Sequence, residues 1–380
     1  LGLFLAKPLR ESEATTAPGL LASSYGENAR LFSGIFSSVG IFLNIVAQIL
    51  AAVSLLTSMT SISPFWAAMV SVLLIVFYVI FGGVWGTGMV GILKTLLLYF
   101  AMLSVGAMAY HLAGGLNYFQ TKFEPFPWFS LFGRGMSTDL AAGFSLLVGV
   151  LSTQTYLQAM FSGKSVNTSR AGALISGLII PPIGLAGIAV GLYMRANFPS
   201  MNSATVLPTF VINYLPPWLG GIVLGTLLIS IIGTGAGLVL GISIMFSQDI
   251  YKKFINKQAS DASVLKFSRI TIFAVSAFTL IFVSGNLNSL ILKWSFLSMG
   301  LRGATICIPL LCSIFMKGLI KPEVAVLAIV MAPVCAVLWA IFGAASVDPL
   351  YVGLGVSFGM LLLGSLFKML TCNPNNFFNV

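Results

Sequence analysis

The sequence predicts an all-α polytopic membrane protein, and three observations carry that expectation. Of its 380 residues, 58% are hydrophobic and 7% are charged, more apolar surface than a water-soluble core could bury. The apolar residues fall into runs of about 20 or more, the length that crosses a bilayer core as a helix. In lipid each segment must satisfy its own backbone N–H and C=O groups, so these runs are helices and not strands. Third, positive charge is concentrated in alternate connecting segments, as the positive-inside rule requires of a multi-span chain.

Taken in order, residues 1–6 are apolar but too short to span, and with no initiator Met they read as the end of a truncated helix, not a signal peptide. Residues 7–29 form a cytoplasmic connection. Full spans follow at 30–57, 63–82, 88–112, 138–162, 170–194, 217–247, 265–285, 289–316, 322–344 and 349–370, with a tail at 371–380. Alternate connections hold Lys7, Arg10 and Arg30, then Lys164 and Arg170, then Lys252, Lys253, Lys257, Lys266 and Arg269, then Lys317 and Lys321, then Lys368. The intervening ones hold only Lys122, Arg134 and Arg195. The first set is cytoplasmic, so the C-terminus lies inside and the net charge of +10 reflects membrane orientation, not nucleic-acid binding. In the outer loop 113–137 the aromatics of Phe123-Glu-Pro-Phe-Pro-Trp-Phe129 suit an interfacial belt or short helix, or a lid over a site.

Polar groups at lipid depth are expensive and therefore informative. The apolar stretch 215–253 contains Ser230-Ile-Ile-Gly233-Thr234-Gly-Ala-Gly237, with Ser230 and Thr234 on one helix face. Close helix packing through small residues explains such a cluster; so does a cation site built from hydroxyl and freed carbonyl oxygens. Asn44 and Gln48 share a face of the first span. Ser152, Thr153, Gln154, Thr155 and Gln158 form a patch that either hydrogen-bonds between helices or interrupts a helix facing water. Lys94 lies about two turns into its span, where snorkelling to the interface is an ordinary role. Arg302 lies about 20 Å from the outer end of its span, too deep to snorkel with ease. It needs a carboxylate, a set of carbonyls or an anionic substrate.

Catalytic constellations are missing. His111, the only histidine, sits at a helix end, and there is no phosphate-binding glycine loop, His-Glu-x-x-His or pair of intramembrane aspartates. Cys307, Cys312 and Cys335 lie inside apolar runs and Cys372 in the tail, without disulfide or metal spacing. Neither an enzyme nor an organic cofactor is expected.

The order of several motifs resembles the sodium:solute symporters, the group of proline, pantothenate, sodium/glucose and sialic-acid transporters. Thr16-Ala-Pro18 followed by Ser24-Tyr-Gly26 is similar to that family's cytoplasmic approach to a core helix, and Phe81-Gly82-Gly83 to its Gly-Gly turn. Gln154-x-x-x-Gln158, Gly163-Lys164-Ser165 and Arg170-Ala-Gly-Ala173 match a third segment. Leu215-Pro216-x-x-Leu219-x-Gly221 and Asp249-Ile-Tyr-Lys252 bracket the fourth and best. The resemblance implies a LeuT-type inverted-repeat transporter, five core helices plus five, from which core helix 1 and most of core helix 2 are absent. It makes 30–57, 63–82 and 88–112 core helices 3 to 5, 138–162 the broken core helix 6, 217–247 core helix 8 and 289–316 core helix 10. It also implies sodium, the transported ion, at Ser230, Gly233 and Thr234.

Departures from the family pattern count too. Gly233 lacks one of the two expected hydroxyls. Gly91 replaces an acid that serves a second sodium in some members, so a second sodium is not expected. Lys94 stands close enough for its ammonium to replace the ion, as a coupling residue. Gly149-Val150 stands where sugar transporters have gating aromatics.

The expected function is sodium-coupled symport of a small organic solute, an amino acid or carboxylate, across the inner or plasma membrane by alternating access. The solute contacts would be Gln48, Gln154, Gln158 and Arg302. Proton-coupled or ion-independent transport through Lys94, a transporter-like membrane sensor, and a non-transporting remnant are the alternatives. The expected partners are the solute and the lipid bilayer.

Overall fold

A computed structural model describes residues 1–371 apart from 288, 290 and 344–346, and for 83–90 and 367–371 it gives the course of the backbone alone. The expected tail 372–380, with Cys372, and the Lys368 side chain lie outside that description. Among the described residues the chain is helical, without strands.

The segment 7–29, expected as a connection, is itself mostly helical: α1 (Ala6–Glu11) and α2 (Ala17–Tyr25). Thr16 starts α2 by accepting the Gly19 N–H on its hydroxyl (3.0 Å), with Pro18 in the first turn where a missing N–H costs nothing. Ahead of α1, Leu5 N–H donates to Leu1 O (3.0 Å), one further turn. Then α3 (Glu27–Met59) crosses the layer, and α4 (Pro64–Leu112) carries two apolar spans, Pro64–Gly82 and Gly91–Leu112. Tyr78 and Lys94 both come within 4 Å of a methyl group built on Gly233. A straight helix would set them about 24 Å apart, so the two halves of α4 turn toward each other. The connection 113–137 holds α5 (Leu116–Lys122) and α6 (Pro125–Trp128), with Phe123 against Trp128.

The next span is broken, with α7 (Met136–Ser152) and α8 (Gln154–Phe161) meeting at 47°. After it run α9 (Val166–Asn197), the short α10 (Val206–Tyr214) and α11 (Pro217–Ile244), whose last turns continue as a π-helix, Met245–Ile255. α12 (Asp261–Ser284) follows. α13 (Ile291–Arg302) passes through a π turn, Gly303–Cys307, into α14 (Ile308–Phe315). Pro309 has no N–H to return to the carbonyl one turn back, which loosens that turn. α15 (Pro322–Phe342) and α16 (Pro349–Thr371) complete the chain.

Among the described residues nine helices are long and apolar enough to cross a membrane, ten if the bent pair is one span. Their positions agree with the ten expected spans. One apolar core joins α3, the first half of α4, α11 and α12. A second joins α1, α2, α8, α14 and α15, and a third gathers α9 and α10 against the second half of α4. Glycines let backbones close where a side chain would collide: a methyl group on Gly106 would lie 2.7 Å from Ala186 of α9.

Candidate functional site

Two polar centres lie along the helices, the first buried and the second half-buried with Thr234 exposed, and α3 touches both. The first is a helix break. Thr153 has extended backbone (φ −86°, ψ 118°) between α7 and α8, and its hydroxyl donates back to Gly149 O. Three consecutive polar residues lie there, Ser152, Thr153 and Gln154, and of these the Thr153 hydroxyl takes up a backbone carbonyl of the preceding turn. Opposite the break, at the junction of α13 and its π turn, stands Arg302, 1% exposed. Its Nη1 donates to Thr153 Oγ1 (2.8 Å) and its Nε to Ser298 O (3.1 Å), while Nη2, also buried, has no partner. Among the described residues it forms no ion pair. Its stem crosses α3 at Gly40, where a methyl group would lie 2.6 Å from Arg302 Cγ. Ser298 Oγ donates to Gly40 O at the same crossing.

The second centre lies on α11. Thr234 Oγ1 donates to Ser230 O (2.8 Å), while Ser230 Oγ is buried without a partner. Beside them a methyl group on Gly233 would lie 3.6 Å from Lys94 Nζ and 3.9 Å from the Tyr78 hydroxyl. Across the groove Gln48 Cβ approaches Gly235, and the Gln48 amide leans on Asn44 Oδ1 (3.5 Å). Ser230, Gly233, Thr234 and Lys94 are therefore brought together with Gln48 at the rim. Gly40 and Gln48 are two turns apart on α3, about 12 Å, so one helix links this centre to Arg302. The oxygens here suit a hard monovalent cation; a tighter metal centre is not formed, since no group of three His, Cys, Asp or Glu converges among the described residues.

Gln154 is turned elsewhere. Its Oε1 accepts from Ala17 N–H (2.8 Å) and its Nε2 donates to Thr15 O (3.3 Å), so both ends of the amide hold the α1–α2 strap. Gln158 is half-buried, and its backbone carbonyl accepts from Ser162 N–H (2.9 Å).

A third feature escaped the reading of the sequence. Asp249, 2% exposed, accepts from Arg30 Nη1 (3.0 Å) and the Thr16 hydroxyl (3.2 Å). Arg30 also pairs with Glu27 (2.8 Å), and the Tyr25 hydroxyl donates to Pro309 O (3.2 Å). Arg10 donates to Gly163 O. The strap is thus fixed to α8, α11 and α14. Its signal was available: Asp249 is an acid at the inner end of a span, and Arg30 opens another span at the same face.

A family model described as the sodium:solute symporter family matches residues 1–321. The human high affinity choline transporter 1 is 22% identical over 352 residues, covering 83% of this chain and 57% of that protein. The high-affinity proline transporter PutP of Bacillus subtilis is 21% identical, covering 89% of this chain and 74% of its own length. The chain therefore spans little more than half of the choline transporter it matches. A solved structure of a Na+-coupled sialic acid symporter, substrate-bound and outward-open, superposes with a TM-score of 0.78 at 20% identity. The match covers 98% of this chain and 80% of that one.

Proposed function

Because this chain belongs to the sodium:solute symporter family, we propose that it is a secondary transporter carrying a small carboxylate-bearing solute inward with sodium by alternating access. The observation that carries the solute class is the free Nη2 of Arg302, buried between the α7–α8 break and the π turn without a carboxylate to neutralise it. A buried charge left uncompensated costs several kcal/mol, and a solute carboxylate would answer it. The relatives' names include two carboxylate solutes, proline and sialic acid, and one cation, choline. A buried guanidinium repels a cation, so choline suits this site least.

Sodium would sit at Ser230 and Thr234, using the Ser230 hydroxyl and the carbonyls around Gly233, with Gln48 on the solute side. Symport requires each ligand to favour the same conformation, a coupling of about 1–3 kcal/mol. A second reading rests on Lys94, whose ammonium approaches Gly233, where the family's second hydroxyl would project. In that reading the amine takes the place of the ion. The membrane is the plasma or inner membrane, with the lysine-rich connections and the C-terminus in the cytoplasm.

The test is uptake into liposomes by the full-length protein, driven separately by sodium and proton gradients. The panel would be labelled amino acids, short organic acids and choline. Sodium-driven uptake of a carboxylate that is lost in Thr234→Ala and Arg302→Gln but kept in Lys94→Gln is the expected result. Loss in Lys94→Gln with indifference to sodium would move coupling to the lysine. Choline taken up in preference to every carboxylate would overturn the solute class.

A further inference from the structure

At the cytoplasmic side a cleft of about 420 Å³ opens between the inner end of the first span of α4, the end of α11 and α12. α11 is tied to α12 beside it by the Ser243 hydroxyl, which donates to the carbonyl of the lining residue Ser268 (2.9 Å). The same two elements are also joined by Tyr251, on the π-helical end of α11, stacked on Phe267 (4.4 Å, 11°). The lining changes character along its length. Toward the membrane interior it is Val79, Leu240 and Ile272; toward the cytoplasm it is Gln248, Ser268 and Arg269. Arg269 is exposed and forms no hydrogen bond or ion pair among the described residues. The acid at the mouth, Asp261, already has Lys252 beside it (3.7 Å). Lys253, Lys257 and Lys266 are nearby in the chain.

An amphipathic groove with an unpaired guanidinium at headgroup depth matches an amphipathic anion. We propose that this cleft binds an anionic phospholipid of the cytoplasmic leaflet, its phosphate on Arg269 and one acyl chain along Leu240 and Ile272. Basic pockets between spans on this side of a membrane recognise such headgroups, and a guanidinium fork fits phosphate oxygens. Position in the leaflet alone does not account for the choice. A larger cleft at the same level, about 620 Å³ between α2, α3 and α15, is lined by Glu27 and Glu323 and by no basic residue. Charge is thus sorted between two clefts of one leaflet, and the anionic lipid is assigned to one of them. The assignment does not depend on the transported solute.

Native mass spectrometry of the purified protein, titrated with phosphatidylglycerol or phosphatidylcholine of identical acyl chains, tests it. One phosphatidylglycerol is expected to be retained in preference to phosphatidylcholine. Arg269→Gln should weaken its retention about 5-fold. Leu265→Trp, which fills the cleft without altering charge, should do the same. Lys317→Gln, at another cytoplasmic connection, should change nothing. Residues 265, 269 and 317 are all exposed, so the variants keep the fold, and a melting curve checks it. Equal retention of the two lipids would overturn the proposal. So would an unaffected Leu265→Trp, or a Lys317→Gln loss as large as that of Arg269→Gln.

Discussion

Asp249 is the one carboxylate that the fold buries among the described residues, and its partners come from α3 and from the strap before it. Removing the cation should therefore hurt more than the pair is worth, because a bare buried carboxylate remains. Arg30→Ala is expected to cost about 3 kcal/mol, read from unfolding in detergent. Asp249→Asn added to that background should recover part of the loss. Additive losses would mean that the two groups do not act as a pair. At the same scale Gln154 shows what residue type leaves open: its intramembrane position and polarity fit a solute contact, yet both ends of its amide reach the strap. Arg302 is buried among the helices, and Thr153 as its partner depends on the 47° break.

At the scale of elements, discontinuities decide the site. The α7–α8 break was legible as a polar run inside an apolar one. The π turns were not, since a single proline or a one-residue shift in hydrogen bonding leaves almost no mark on hydropathy. The turn before Pro309 follows Arg302 directly and so sets the angle from which the guanidinium meets Thr153. Pro309→Ala returns a backbone donor and allows that turn to tighten. The expected result is a protein at least as stable to heat, with solute affinity weakened about 10-fold, the worth of one charged hydrogen bond. Unchanged affinity in a flux or binding assay would show that the turn does not position Arg302. The strap 7–29 carries the same lesson, because its short helices are defined by Thr16, Pro18 and their neighbours, while its place depends on three distant spans.

Across the whole molecule, the alternation of charge predicts which connections face which side. Single cysteines introduced at 164 and 257 should react with an impermeant maleimide only from the cytoplasmic face, and those at 122 and 195 only from the other. Labelling of 122 and 257 from the same side would break the topology. The structure adds the way the spans assemble. The two halves of α4 turn toward each other so that Lys94 and Tyr78 converge on Gly233, sixteen and more residues of sequence collapsing onto one groove. α3 runs beside both polar centres, through Gly40 at Arg302 and Gln48 at the α11 site.

Hydropathy along the chain was enough to show a helical membrane protein with about ten spans in this order, and charge was enough to frame an orientation that labelling can test. Hydropathy, charge and helix signals are local quantities that add along the chain, so they can be read without a fold. The pairings came only with the fold: Arg302 with Thr153, Gln154 with the strap and Asp249 with Arg30. Each joins residues from different helices, and such partners are set by how the helices cross and where they break.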